Sequence, residues 1–549
     1  MEVQQTPARL DPLPVETSQP PTGTEPSPKP AGEARLRGGR PVPHAAESGN
    51  PKLRPVNRDR IVTKRYHLGN SLGARHPARA MWDLLGRLDL SGFHCAIRSR
   101  QGEKGRPSND PRMLAGVWLY AYSQGISSAR EIQRQMDYEP GLVWLCAGNP
   151  VNHHTLSDFR VNHNHALDGL FQNLLVVLED EGFVDMSQIM HDGTKVRANA
   201  GVDTFRHANT IGERHERAKQ LIAKMGDPRE DNRQARTRKQ AAQERVAREK
   251  VEKMAAAARQ MEQINLELIE KGKTAAEVEK TRVSVVEREA RMMHHGDNAI
   301  LPSYNVQLST ESSNRIIVGM HLSQCSCDAQ ALVPAMNEVE RNMGRDPDQL
   351  VVDGGFTNKD NIVAMDGRSI DLIGSLPNLD KKRTAGAVAA GIEPAFGVQF
   401  FIFQEQTGTL ACPAGKALEY KSQSVKRGNK YEVYRAKGSD CQECEFQKQC
   451  CPKKPEKGRG VSVLVQEDPL VANFRKKMES EEARKIYKRR GPVAEFPNAW
   501  IKDKIKLRKY RLRGMGKAEI ETLWACLAYN AKQWIRLSWG KKPALACAA

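Results

Sequence analysis

"QIMHDGTKVRANAG", Gln188 to Gly201, opens near an apolar pair, Ile189 and Met190, runs into one aspartate, Asp192, and continues with Gly193, Thr194, Lys195 and Arg197. The short apolar run reads as a buried strand that ends at Asp192. A lone carboxylate among cations is either a turn residue or one ligand of a metal site whose other ligands lie far along the chain. A second stretch has the same form. "DQLVVDGGF", Asp348 to Phe356, is a compact apolar run ending in Asp353 and two glycines, which let backbone or ligand approach closely. In open α/β sheets, functional groups gather beyond the carboxyl ends of strands. If the two strands are neighbours, two carboxylates converge there, and Mg²⁺ needs only a few such oxygen ligands because it keeps several waters.

The surrounding chain supports a sheet. "SYNVQLSTES", Ser303 to Ser312, alternates through Tyr304, Val306 and Leu308, and "RIIVGMHLSQ" follows after a polar turn at Ser312–Asn314, the pattern of a hairpin. "DAQALVPAMNEVERNMG" is an amphipathic helix capped by Asp328 and ended by Gly344. "NKDNIVAMDG" reads as a helix and "IDLIGSLP" as a further strand. The order predicts a mixed α/β core over 181–201 and 301–400 with helices on its faces.

Residues 202–300 interrupt it. No Gly or Pro occurs from Arg229 to Lys271, and Met254, Ala257, Met261, Ile264 and Leu268 recur at spacings of three and four. A helix of that length would span roughly 65 Å. The spacing predicts a helical insertion, a hairpin turning near Gly272, whose stripe serves packing or self-association.

Upstream, residues 1–60 hold twelve of the 30 prolines and few large apolar residues, the composition of a disordered tail. Residues 61–180 read as a helical domain. Asp110 caps a helix with Pro111 at its first position, and Leu114, Val117, Trp118 and Ala121 share one face. A second helix starts after Ser127 or Ser128, and a third near Thr155, with Phe159 facing the core. Short helices with Arg130, Arg134 and Arg160 exposed fit a DNA binder of the helix-turn-helix type.

Composition narrows the class. Of 549 residues, 39% are hydrophobic and 28% charged, as in a globular chain. No apolar run reaches the roughly 18 residues of a membrane span, and the first residues lack the layout of a secretory signal. A net charge of +19 suits a polyanionic partner, nucleic acid above all. Eleven cysteines without a signal imply a reducing compartment, where clustered thiols serve as metal ligands rather than disulfides. "CPAGK" and "CQECEFQKQCC" supply Cys412, Cys441, Cys444, Cys450 and Cys451. A CxxC pair with outlying thiols fits a tetrahedral structural Zn²⁺ within a module over 401–460, held by Cys412, Cys441, Cys444 and Cys450, with Cys451 the rival for the last place.

Between Arg484 and Arg513 lie twelve Lys and Arg but only two acids, Glu495 and Asp503. A carboxylate in such a field is a salt-bridge partner or a metal ligand beside a phosphate track. If Glu495 is a ligand, residues 461–540 complete the core as the segment of a third carboxylate with C-terminal helices.

"YKRRGPVAEFPNAWIK" resembles the tyrosine–arginine–glutamate–lysine signature of bacterial insertion-sequence transposases of the DDE superfamily. Tyr487 and Arg490 have two residues between them, and Glu495 and Lys502 have six, as in that signature. The gap from Arg490 to Glu495 holds four residues where the signature has three, which leaves Arg489 beside Arg490 as a candidate. "HDGTKVRA" resembles the family's first-aspartate strand, "YNVQ" its second strand and "VVDGGF" its second-aspartate motif. "GRPSNDPRMLAGVWLYAYSQGISSAREIQRQM" with "TLSDFR" resembles its helical N-terminal domain, and "LRGMGKAEIETLWACLAYNAKQW" its C-terminal helix. The resemblance spans residues 65–540. It implies an RNase H-like core that cuts DNA at the inverted repeats of its element and transfers the 3′-hydroxyl ends to target DNA, using two Mg²⁺ or Mn²⁺ ions. It makes Asp192, Asp353 and Glu495 the metal ligands, and Tyr487, Arg490 or Arg489, and Lys502 the grip on the transposon end, since arginine and lysine suit phosphate oxygens. It also implies double-stranded DNA as partner, no membrane, a homodimer in the DNA complex, and the bacterial cytoplasm at the nucleoid. The competing expectations are an idle, transposase-derived DNA-binding or regulatory protein, and a DNA nuclease on the same fold.

Overall fold

The computed structural model describes residues 67–97, 99, 102, 107–223, 238–376, 379–426 and 429–539. The Pro-rich segment 1–60, residues 61–66 and residues 224–237 lie outside the described residues.

The N-terminal part is helical, as expected: α1 (Pro77–Leu85), α2 (Pro111–Ser123), α3 (Ala129–Gln135), α4 (Pro140–Leu145), α5 (His153–Val161) and α6 (Asn164–Asp180). The Asp110 carboxylate accepts from the backbone N–H of Arg112 and caps α2. Ser128, rather than Ser127, caps α3. Asn152 caps α5, so that helix begins two residues before Thr155. An amide side chain that satisfies an orphan N–H fixes the start more strongly than the later threonine.

At the centre of the main sheet lies β1 (Gln188–Arg197). The other strands are β2 (Arg291–His294), β3 (Ile300–Glu311), β4 (Ile317–Ser323), β5 (Gln349–Val352) and β6 (Asp371–Gly374). β3 runs antiparallel to β1 from Ile189 opposite Glu311 to Arg197 opposite Ser303. On the other side β5 runs parallel to β1, with Met190 opposite Val351, and β6 runs parallel to β5. β4 and β2 both pair with the outer edge of β3. The expected hairpin of β3 and β4 is present.

Three expectations change. Asp192 does not end its strand, because pairing with β3 continues to Arg197; only the parallel pairing with β5 stops, at Met190. Asp328 does not cap a helix by its side chain. It starts a 3₁₀ turn, and α7 (Leu332–Met343) begins after Ala331 without a side-chain cap, although Gly344 ends it in the left-handed region at φ 71°. The alternation along β3 does not divide a buried from an exposed face: Pro302 to Glu311 are all buried, the polar Ser303, Asn305, Gln307 and Ser309 included.

The insertion is built from two long helices, Ala208–Ala223 and Arg238–Glu270. Met254, Ala257 and Met261 are buried; Ala257 and Met261 cluster with Ile211 and Val283. The stripe is therefore packing, against the preceding helix. Gly272 (φ 72°) ends the long helix but does not turn a hairpin of long helices, since a short helix, Ala275–Glu279, follows. The end of the expected insertion, Arg291–His294, is a strand of the main sheet.

A second sheet lies between α8 (Lys359–Gly367) and the C-terminal helices. It is antiparallel, of five strands in the order β11-β10-β9-β8-β7: β7 (Ile402–Gln404), β8 (Thr409–Ala411), β9 (Ala417–Lys426), β10 (Asn429–Ala436) and β11 (Gly460–Gln466). After it come α9 (Pro469–Glu479), α10 (Glu481–Lys488), a single π-helical turn (Gly491–Glu495), α11 (Phe496–Asp503) and α12 (Met515–Leu537). α12 returns into the N-terminal helices: Trp524 packs against Trp118, Tyr122 and Phe159 with ring centroids 6.3–6.5 Å apart. Helical part and main sheet share one continuous apolar core. Among the described residues no helix is long and apolar enough to cross a membrane.

Candidate active site

Register creates the site. Met190 and Val351 are partners on adjacent parallel strands, and both pack with Ala483 and Ala494 on one face of the sheet. Side chains alternate along a strand, so two residues further on Asp192 and Asp353 emerge on that same face, side by side. Asp353 lies just beyond the end of β5, where its Oδ1 accepts the N–H of Gly355 at 2.7 Å.

The face is covered by the segment from α10 to α11. Arg490 Nη1 lies 3.4 Å from Asp192 Oδ1, and its Nη2 lies 3.8 Å from Glu495 Oε1. The reason is the π turn. It closes over five residues rather than four, so the extra residue between Arg490 and Glu495 is absorbed without rotating one away from the other. Arg489 is exposed, and Arg490 is the arginine that faces the carboxylates. One turn on, Asn498 Nδ2 donates to Asp192 Oδ2 at 2.9 Å. Lys502 follows Asn498 by four residues on the same helix face. It is half-buried, and its ammonium pKa is lowered by burial and by Arg508, against the pull of Asp192.

Burial raises the Asp192 pKa. Arg490 opposes this, Asp353 adds to it, and the Asn498 bond opposes it. Glu495 differs: its side chain is 67% exposed and reaches the site only through Arg490. Among the described residues no three His, Cys, Asp or Glu side chains stand close enough to hold a metal ion. The residues nonetheless fit a hard divalent cation, for two reasons. Two neighbouring carboxylates are held in a partly dry place with one guanidinium between Asp192 and Glu495, standing where a cation would. Beside them, the buried Asn498 Oδ1 has no hydrogen-bond partner, an oxygen free to accept from a metal-bound water.

The opposite face of β1 is a buried polar layer that the sequence reading missed. His191 Nε2 donates to Gln307 Oε1 and its Nδ1 accepts from Ser309, both at 2.9 Å. Gln307 and Asn305 donate to Asp328 Oδ1 at 3.1 and 2.7 Å. Burial pushes the His191 pKa down to about 4, so the ring is neutral. A Cβ on Gly193 would stand 2.7 Å from both Asp328 Oδ1 and Gln307 Nε2, which accounts for the glycine after Asp192. The signal was in the sequence, as polar residues alternating with Tyr304, Val306 and Leu308, but the alternation served there only to mark a hairpin strand.

The other expected residues divide. Tyr487 is half-buried against the cluster of Met190 and Ile373 and lines a cleft of about 350 Å³ with Ser375, Arg475, Arg484 and Lys488. Arg130 is exposed. Arg134 is paired with Glu131 at 2.6 Å. Arg160 is not exposed as expected: it is 5% accessible, stacks over Trp118 and donates to the Ser127 carbonyl at 2.8 Å. Its guanidinium belongs to the core, since α5 turns that face inwards. Cys412, Cys441, Cys444, Cys450 and Cys451 line one cavity.

Two family models match the chain. One, described as a transposase DDE domain, covers residues 411–535, and the other, described as a transposase domain, covers residues 68–162. The first includes Glu495 and the cysteines; neither reaches Asp192 or Asp353. No curated protein matches the chain. Among solved structures, a piggyBac transposase in a synaptic complex with hairpin DNA is similar over 86% of this chain and 76% of its own, at 8% identity and a TM-score of 0.29, too loose a likeness to carry an argument.

Proposed function

We propose that this chain, which resembles transposases in both matched segments and a DDE domain in one of them, is an active DNA transposase whose RNase H-like core cuts at the inverted repeats of its own element and joins the freed 3′ ends to target DNA. A DDE domain is in general that of a DNA-cleaving, strand-transferring enzyme. The observation that carries the reading is the convergence of Asp192 and Asp353, from parallel strands, beneath the π turn that brings Arg490 and Glu495 over them.

Asp192, Asp353 and Glu495 would hold two Mg²⁺ or Mn²⁺ ions. When bound, such ions lower the pKa of an attacking water and stabilise the leaving oxygen. The residues of the chain do the rest. In the DNA-free chain Arg490 neutralises Asp192 and Glu495. A phosphate of the element end takes over its guanidinium in a bidentate contact, which frees both carboxylates. Asn498 holds Asp192 in place throughout. Lys502 adds a point charge beside the same phosphate, and Tyr487 and Arg489 grip the strand next to it. Water breaks one phosphodiester bond and leaves a 3′-hydroxyl. That oxygen then attacks a target phosphodiester, forming one bond and releasing one target 3′-oxygen as the leaving group. Arg130 and Arg134 of the helical part supply further phosphate contacts; Arg160 supplies none. The working form is a homodimer on double-stranded DNA, at the nucleoid in the bacterial cytoplasm.

The test is incubation of the purified chain with Mg²⁺ and DNA carrying the element's own ends, beside a target plasmid. Nicked ends and joined products support the reading. Binding without nicking would leave the idle regulatory protein, and nicking without joining would leave the nuclease.

A further inference from the structure

The phosphoryl-transfer reading makes no use of the five clustered cysteines. The sheet above them has a small core of six buried side chains, Phe401, Leu410, Leu418, Tyr434, Ala436 and Val461. Large apolar groups stay in the open, with Ile402 70% and Val425 64% exposed. A segment of this size with so little buried surface needs another staple, a disulfide or a metal. All five cysteines are free thiols. They line one cavity of about 30 Å³, room for one small ion.

The walls of that cavity come from separate places in the chain. Cys412 sits in the turn between β8 and β9, closed by a bond from Gly415 N to the Cys412 carbonyl at 2.8 Å. Cys441 comes from the short helix Gly438–Gln442, and Cys450 from the short helix Gln447–Cys450. Two sulfurs are already addressed by backbone donors: Lys416 N–H points at Cys412 Sγ (3.2 Å) and Arg459 N–H at Cys441 Sγ (3.3 Å). A donor aimed at sulfur favours the thiolate, and such bonds orient metal ligands from behind. The Arg459 donor depends on Gly458 before it, at φ 71°, where a Cβ would stand 1.9 Å from the Ala436 carbonyl oxygen. Cys412, Cys441 and Cys450 pack against the apolar cluster. Cys451 differs: its thiol donates to the Lys454 carbonyl at 3.8 Å.

We propose that Cys412, Cys441, Cys444 and Cys450 hold one structural Zn²⁺ that closes this insertion, with Cys451 outside the set. The sulfurs surround one cavity without any three at ligand separation, so binding draws them inward to bonds of about 2.3 Å in a tetrahedron. Each ligand thiol gives its proton to solvent as the metal binds. The ion ties the turn before β9 to the segment after β10, and so fixes both ends of the hairpin that the small core leaves loose. The inference is independent of transposition, because it concerns the fold of the insertion alone.

The full chain, purified in reductant without chelator, is expected to carry one zinc per chain by elemental analysis. Exchange for Co²⁺ is expected to give the thiolate charge-transfer band and the strong visible bands of a tetrahedral site. Cys451→Ser should keep both signals and Cys444→Ser should lose both. If Cys444→Ser is insoluble, thiol titration of the parent chain decides: chelation should expose four additional reactive thiols. Absence of zinc together with absence of the cobalt bands overturns the site. Loss of metal in Cys451→Ser, with retention in Cys450→Ser, overturns the ligand set.

Discussion

The two sheets of this protein solve opposite problems. The main sheet is covered on both faces: Ile189, Met190, Leu350, Val351 and Val352 have no accessible surface, and even the polar row of β3 is buried and bonded. The cysteine-bearing sheet has one small cluster and exposed apolar groups at its edges. The first is stable enough from packing to hold partly desolvated carboxylates in its surface; the second, on the zinc proposal above, depends on a cross-link. The two neighbouring aspartates of the candidate site stand on the well-packed sheet, because a rigid, partly dry support keeps like charges together.

The largest effect expected on this contrast is chemical. Asp192→Asn or Asp353→Asn should reduce end nicking by at least ~10³-fold while DNA binding persists. Thermal stability should move the other way for Asp192→Asn. The folded-state pKa of Asp192 is raised, so the charged form opposes folding, and that contribution to stability is lost as pH rises through the folded pKa. The asparagine variant should therefore melt higher than the parent at neutral pH without divalent ions, and no higher at acid pH. A lower melting temperature at both would show that the carboxylate supports the fold instead.

Next comes selective opening. A zinc chelator should raise amide hydrogen exchange across residues 401–466 and leave β1 protected, since local stability follows local burial. Equal loss of protection in both sheets would erase the contrast. A smaller effect tests the polar layer behind the site. Gly193→Ala drives a methyl into Asp328 and Gln307 and should cost about 1–3 kcal/mol, read by denaturant unfolding. The smallest effects separate the basic residues. Lys502→Ala should weaken binding to end DNA and lower the slope of log affinity against log salt by about one. Arg160→Ala should destabilise the helical part without changing that slope, because its guanidinium is buried over Trp118.

Much of the site was legible along the chain. The aspartates stand after short apolar runs, and a run that becomes a strand delivers the residue after it to a predictable place. The arginine was legible only as a choice, Arg490 with Arg489 beside it, because the spacing between Arg490 and Glu495 has one residue too many for a regular helix. Only the π turn shows how Arg490, and not Arg489, meets the carboxylates. Asn498 was invisible for a related reason: its role depends on facing Asp192 across more than three hundred positions, and no local pattern records that.

The sequence by itself determined which segments are apolar strands, where α2 is capped, that the chain is basic, and which thiols cluster. These are local properties, decided by neighbours within a turn or two. Tertiary structure alone decided that Asp192 lies within its strand rather than at its end, that Asp328 and the polar row of β3 are buried, that Arg160 is core, and that α12 completes the N-terminal helices. Each depends on which distant element covers a given face, and free energy of burial belongs to the pair of surfaces that meet, not to either stretch of chain alone.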